Sequence, residues 1–538
     1  MKIYIHALPY ALTAALMAFA STHTVHMLQL EGYKNKNLFR WILSHAKKVY
    51  SLPALAALTG ILLASLANLL LPGAARYVYY ALAAAYAAVI LVYTRITRID
   101  NPKKPIVYTG RVKRLFVFIV LVELTAAAGL LLLDLTVFNN TVFAGAPLFA
   151  LMPTVGLSAA AANTAAAPLE SAVRRWYYND AGKKLKRRDD LIRVGITGSF
   201  GKTSCKFILG AILSEKYNVL VPPSSYNTTM GVTRVIRERL LPSHEVLIAE
   251  MGARHIGDIK EICGLVKPRY GLLTSVGPQH LETFGSIENI AKTKYELIEG
   301  LGKDGCSFFP SDSEICRKLY EKTQSEKYLF GMEYEGAVYA RAENIKTGSF
   351  GSRFDLVIDG ESICCETKLL GKHNIANITG CAAVAKRLGL SADEIRLGIR
   401  KAAPVEHRLQ LLPTKNGITV IDDAFNANPS GARAAMEVLS TFEGRKIVVT
   451  PGLVELGERE EEENRAFGKV MAGVADIVYL IGNKRARPIY NGLLEGGFEK
   501  SNIFVFSFLS EAADMLWKNA RTGDVVIFEN DLPDNYNE

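Results

Sequence analysis

The 538-residue sequence contains seven cysteines and no C-x-x-C pair. Without a ligand pair at that spacing, no zinc ribbon is expected. The seven (Cys205, Cys263, Cys306, Cys316, Cys364, Cys365 and Cys381) are odd in number and follow no disulfide framework. They read as reduced thiols of a cytosolic domain, packed as small apolar side chains. Also missing is a basic surface spread along the chain. The net charge is +10, but the lysines and arginines collect in three clusters beside apolar runs: Lys34–Lys48, Arg95–Arg114 and Arg174–Arg188. That placement suits anionic lipid headgroups and membrane-protein loops, so no nucleic-acid partner is expected.

What is present in excess is apolar sequence. Hydrophobic residues make up 49% of the chain, and the surplus lies in the first 170 residues. Runs near 3–22, 52–71, 77–94, 115–134 and 142–167 each approach the roughly 20 residues that cross a bilayer. The first holds His6 and Pro9 and lacks a small-residue cleavage pattern, which argues against a removed signal peptide. The connections around Arg76 and Asn139–Asn140 are nearly free of Lys and Arg. Five crossings with the N-terminus outside then place every basic loop, and the large C-terminal part, in the cytoplasm at the plasma membrane. Glu123 falls inside the fourth run; pairing with a neighbour is favoured there over a functional intramembrane acid. Tyr77, Tyr79, Tyr80 and Trp176 fit interfacial anchoring.

From Leu191 the pattern changes. "LIRVGIT" reads as a short β-branched strand, a glycine-rich turn follows, and a helix is expected to begin near Lys202. Strand, turn and helix are the setting of a phosphate loop, where backbone N–H groups and the helix N-terminus meet phosphate oxygens. The glycine that the common P-loop spacing requires five residues before Gly201 is absent, because Ile196 stands there. The form is the shorter T-G-x-x-G-K-T, Thr197 to Thr203.

"GITGSFGKTS" resembles the ATP loop of the Mur ligase family, the ATP-dependent amide ligases of cell-wall peptide synthesis. Further blocks occur in that family's order: "SSYNTTMGV" (224–232), "EMGARHIGDI" (250–259), "GPQHLETFGSIENIAKTKYEL" (277–297), "LLGKHNIANITGCAAVAKRLGL" (369–390), "HRLQ" (407–410), "IDDAFNANPSGARAAMEVL" (421–439) and "PGLVELGE" (451–458). "DDAFNANP" and "VELGE" look most like the branch that adds D-alanyl-D-alanine.

The apolar runs together with the resemblance give a fold class of an α-helical multi-pass membrane domain followed by α/β, in which the resemblance implies a P-loop central ATPase domain and a C-terminal Rossmann-like domain. The boundaries expected are 1–170 for about five membrane helices, 171–190 for a basic juxtamembrane linker, 191–405 for the central domain and 406–538 for the last. ATP and Mg2+ are the implied cofactors. Gly198, Ser199, Gly201, Lys202, Thr203 and Ser204 would form the ATP loop, with Lys202 on the β- and γ-phosphates. Thr203, Glu250, His280 and Lys294 would serve magnesium; Lys294 matches a lysine carbamylated in several members. Asn227, Asn374, Asn377, Arg408 and Asn426 would contact nucleotide. Asp423 is carried as ATP- or closure-related, and Lys202, Lys294, His280 and Asp423 form the expected catalytic set.

Three departures stand out. Thr228 follows Asn227 where a second Asn is common, Phe425 replaces a Tyr, and Gly452-Leu453 precedes "VEL" where a Gly-Asp-Met-like run is usual. A larger one is the apolar region itself, which stands where that branch carries a soluble domain for the uridine-nucleotide end of its precursor. The expected partners are an amino-acid or dipeptide donor and a muramyl-peptide or lipid-linked acceptor. Three alternatives stay open: a ligase acting on a lipid-linked acceptor, a polyglutamate-type ligase acting on a polymer, and a non-catalytic ATP-binding subunit. A transport ATPase is disfavoured, since "EVLIAEMGA" offers no Walker-B acidic pair.

Overall fold

The computed structural model describes residues 2–98, 105–139, 141–223, 226–278, 281–414, 416–425, 428–454 and 456–530. The chain divides after Arg175 into two compact units.

The first unit is helical. Five helices among the described residues are long and apolar enough to cross a membrane: Ala7–Leu30, Ala46–Leu70, Ala75–Thr97, Gly110–Phe138 and Ala146–Lys186. The first continues eight residues past the expected limit of 22. Leu55, Leu58, Leu62 and Leu69 point away from the unit's interior, as lipid-facing side chains would. Inward polar groups find partners. Both carboxylate oxygens of the buried Glu123 accept from Thr154 Oγ1 at 3.2 Å. Asp134 accepts from the Gly145 N–H at 2.7 Å and the Tyr10 hydroxyl at 3.2 Å. Arg114 and Glu170 pair bidentately at 2.6 and 2.9 Å. Satisfying such groups internally is what an apolar surrounding demands.

The segment 171–190, expected as a linker, is helical to Lys186. Its last turns pack within the second unit. Arg237 pairs with Asp180 at 2.7 Å and lies over the Tyr177 ring at 4.1 Å, while Arg193 Nη2 caps the helix through the Leu185 carbonyl at 2.8 Å.

The second unit holds two sheets. The larger contains β1 (Ile192–Thr197), β2 (Val219–Leu220), β3 (Val246–Glu250), β4 (Tyr270–Leu273), β5 (Cys306–Pro310), β6 (Glu326–Gly331), β7 (Ala340–Gly348), β8 (Gly351–Ile358) and β9 (Glu361–Thr367). Their order is β2-β3-β1-β4-β5-β6-β7-β8-β9, parallel up to β7 and antiparallel beyond. All five residues of β3 are buried, as a central parallel strand covered by helices on both faces requires. Two apolar clusters fill those faces.

The smaller sheet contains β10 (Gln410–Leu412), β11 (Thr419–Asp423), β12 (Lys446–Thr450), β13 (Ile477–Ile481), β14 (Ile503–Phe506) and β15 (Val525–Glu529), in the order β10-β11-β15-β12-β13-β14. Only the β10 edge is antiparallel. Asn428 N-caps the helix Pro429–Ser440, accepting from the Ser430 and Gly431 N–H groups at 3.1 and 2.9 Å, with Pro429 in the first turn.

Candidate active site

Open parallel sheets present ligands at the carboxyl ends of their strands, where the strand order reverses. Here β1 lies between β3 and β4, and the residues after it form the glycine loop. Gly201 adopts φ +79° and its Cα borders Asn377: a Cβ there would sit 2.6 Å from Asn377 Oδ1. A Cβ on Gly198 would run into Thr274 Oγ1 and lie 2.8 Å from the Ser275 nitrogen. Both positions require glycine.

The loop is pinned from behind. Ser199 N donates to the Ser275 carbonyl at 2.9 Å, Phe200 N to Ser275 Oγ at 2.7 Å, and Ser199 Oγ to the Gly277 carbonyl at 2.9 Å. The helix Lys202–Leu213 starts at Lys202, so the N–H groups of Lys202, Thr203 and Ser204 belong to its first turn and lack intrahelical acceptors. With the positive end of the helix dipole they form an anion-binding end.

Glu250, at the end of β3, is fully buried. Its Oε1 accepts from Thr203 Oγ1 at 3.0 Å and Asn227 Nδ2 at 3.1 Å. Its Oε2 lies 3.2 Å from the ammonium of Lys206, also fully buried. Lys202 folds back on its own loop, donating to the Gly198 and Ser199 carbonyls at 2.6 and 3.0 Å. Burial, reinforced by the nearby Arg408, holds its ammonium down to a pKa of about 8 against the pull of Glu250. Lys294, buried on the helix Ile287–Glu299, is pushed well below the ordinary lysine value by burial and by Lys202.

Asn374 and Asn377 open the helix Lys372–Arg387, which packs on the loop helix. Asn374 Nδ2 donates to the Leu370 carbonyl at 2.8 Å, and Asn377 Oδ1 lies 3.3 Å from Cys205 Sγ. Arg408 comes from the second sheet's side, its guanidinium 4.7 Å over the Phe425 ring and within electrostatic reach of Lys202, Asp423 and Glu250. The residues flanking it, His407 and Leu409, hold φ of +58° and +45°. Such strain persists only where surroundings enforce it. Here His407 Nδ1 meets Asp422 Oδ2 at 2.7 Å, and the Leu409 N–H donates to Asp423 Oδ1 at 3.1 Å.

Thus Gly198, Ser199, Gly201, Lys202, Thr203, Ser204, Asn227, Glu250, Asn377 and Arg408 come together, with Lys294 close to Lys202. Asn374 supports Asn377 from one turn away, across a 3.4 Å contact. Asp423 supports the Arg408 turn. His280, Asn426 and Glu455 of "VELGE" lie outside the described residues. Thr228, read as a departure, N-caps the helix Thr229–Arg239 by accepting from the Gly231 N–H at 3.2 Å.

Sequence reasoning missed two groups. Lys206 carries a legible signal, one helical turn beyond Lys202 on the same face. Glu529 carries none: it is fully buried, opposite Asp423 in the β11–β15 register, and burial together with Asp423 raises its pKa well above the carboxylate range. Burial raises Asp423 as well.

A hydroxyl and a carboxylate 3.0 Å apart are hard oxygen donors of the kind magnesium prefers, and the helix end suits phosphate. Among the described residues no three His, Cys, Asp or Glu side chains converge on one point. The donor set therefore fits magnesium held jointly with phosphate oxygens, not a closed protein cage.

The profile described as "Mur ligase middle domain" matches residues 196–385, and "Mur ligase, glutamate ligase domain" matches 407–529. A UDP-N-acetylmuramoyl-tripeptide--D-alanyl-D-alanine ligase of Bacillus subtilis (strain 168) is 28% identical over 340 residues, 62% of this chain and 72% of that one. The ligase of the same name from Mycobacterium leprae (strain TN) is 30% identical over 366 residues, 62% of this chain and 70% of its own. For some curated relatives the match spans less of their length, 59% for the Escherichia coli (strain K12) ligase. The crystal structure of MurF ligase from Thermotoga maritima in complex with ADP superposes with a TM-score of 0.60 at 26% identity, covering 66% of this chain and 80% of that one.

Proposed function

This chain belongs to the Mur ligase family, ATP- and magnesium-dependent enzymes that form amide bonds, and on that premise we propose that it is a MurF-type ligase joining D-alanyl-D-alanine to a muramyl peptide in peptidoglycan synthesis. The observation that carries the reading is the convergence of Lys202, Thr203, Glu250 and Arg408 at the carboxyl ends of β1 and β3.

A carboxylate is a resonance-stabilised anion and resists attack by an amine. Phosphorylation makes it an acyl phosphate; the amine then forms the amide at the acyl carbon and phosphate leaves. ATP supplies the phosphoryl group, and magnesium neutralises charge on its oxygens. The chain's own groups bind and orient. The first-turn N–H groups and Lys202 would cradle the phosphates, and Arg408 approaches from the second lobe to offset charge that develops in transfer. Thr203 and Glu250 would hold the magnesium, with His280 joining on resemblance alone. Lys294, whose burial favours the uncharged amine, is suited to carry a carbamate. Asn374 and Asn377 would line the nucleotide, with Asn426 assigned on resemblance.

A second reading is favoured by the five apolar helices that precede the ligase part. In it the helices cross the plasma membrane, the ligase part faces the cytoplasm, and the acceptor is lipid-linked. Mass spectrometry of precursor pools in cells lacking the protein separates the readings. Accumulated nucleotide-linked tripeptide supports the first, and accumulated lipid-linked tripeptide the second. Unchanged pools contradict both.

A further inference from the structure

Lys206 has no part in the chemistry above, yet it is the side chain whose burial needs most explanation. Its ammonium and the Glu250 carboxylate are both fully buried, 3.2 Å apart. An uncharged side chain of similar length would fill the same space without desolvating a charge. The other Glu250 oxygen is already served by Thr203 and Asn227 at 3.0 and 3.1 Å. The carboxylate proposed for magnesium is therefore contacted at both oxygens, Oε1 through hydrogen bonds and Oε2 through its ion pair with a cation.

The surroundings add to this. Lys202 and Arg408 both lie within electrostatic reach of Glu250, so with Lys206 three cations face this carboxylate, Arg408 being shared with Asp423. A divalent ion arriving alone meets repulsion from all three in a setting that screens poorly. Arriving with a polyphosphate, it meets the opposite balance, because the phosphate oxygens offset Lys202 and Arg408. We propose that Lys206 is a positioning residue that serves as the standing counter-ion of Glu250 and so makes divalent-cation binding at Glu250 depend on bound nucleotide. The inference rests on the reading above that this site takes ATP with a divalent ion.

The test uses the full chain purified in detergent, with Mn2+ as probe and free Mn2+ counted by electron paramagnetic resonance, with and without the non-hydrolysable β,γ-imido analogue of ATP. Glu250→Gln gives the background of unrelated surface sites. Wild type should take up one Mn2+ with the analogue at least tenfold more tightly than without it. Lys206→Met, and Lys206→Gln should the first fail to fold, should bind Mn2+ alone at least tenfold more tightly than wild type. Lys206→Arg, which keeps the charge, should retain the wild-type dependence. A merely structural lysine would leave metal-alone affinity unmoved. Wild type binding Mn2+ equally with and without the analogue overturns the inference, as does a folded neutral variant that binds Mn2+ alone no better than wild type. Failure of wild type to bind the analogue at all overturns the underlying nucleotide reading instead.

Discussion

Thr203 Oγ1 donates to Glu250 Oε1 at 3.0 Å, tying the first turn of the loop helix to the end of β3. The phosphate loop and the acid beside it thus behave as one unit, joined by this hydroxyl and by the Lys206 ion pair. Thr203→Val keeps the shape and removes the bond. The turnover of MgATP should fall about 10²-fold, within the range found when one preorganised polar group is lost from a catalytic site. Circular dichroism should show the fold unchanged, since Asn227 and Lys206 still hold Glu250.

Lys202 folds onto the Gly198 and Ser199 carbonyls, poised over its own loop. Lys202→Met should lower kcat for acceptor-dependent phosphate release by about 10²- to 10³-fold. Retained turnover in that variant would contradict the loop assignment.

Gly201 occupies the left-handed region at the start of the loop helix, with Asn377 against it. Gly201→Ala combines a backbone penalty of about 1–2 kcal/mol with a contact that Asn377 must relieve. Unfolding should shift down by that amount, and nucleotide affinity should drop further than stability alone explains. Fluorescent-nucleotide titration beside a thermal melt separates the two.

The loop, its helix beginning at Lys202 and the acid closing β3 were all legible, because each is local: apolar strand, glycine turn, helix. The apolar spans were legible for the same reason, since length and composition suffice. Less so was the reach of the first, in which a helix begins at Thr22 directly after one that ends at Ala20. Basic residues at 171–190 suggested a linker, but the Arg237–Asp180 pair and the Arg193 contact keep that stretch helical to Lys186. Glu529 could not be read at all. Its neighbour Asp423 is set by the β11–β15 register, a pairing between distant parts of the chain that no local pattern encodes.

That same pairing gives a pH prediction. Burial raises Glu529 well above the ordinary carboxylate value, so the folded state keeps a proton that the unfolded chain has released. Stability from this group is complete below the unfolded carboxylate value and is lost as pH rises toward the raised one. Glu529→Gln removes the titration. Wild type and variant should therefore melt alike near pH 4, below the unfolded carboxylate value, and the variant should melt at the higher temperature at pH 8. Asp423, shifted the same way, leaves some slope in both. A difference independent of pH would show that Glu529 is ionised in the folded protein.

The most direct test of the central claim is phosphate release by the purified full chain with ATP, magnesium and D-alanyl-D-alanine, with a muramyl-tripeptide acceptor added or withheld. The account predicts release only when the acceptor is present, matched one for one by an acceptor heavier by the dipeptide less one water. Steady release without acceptor, or release with no new amide, would contradict it.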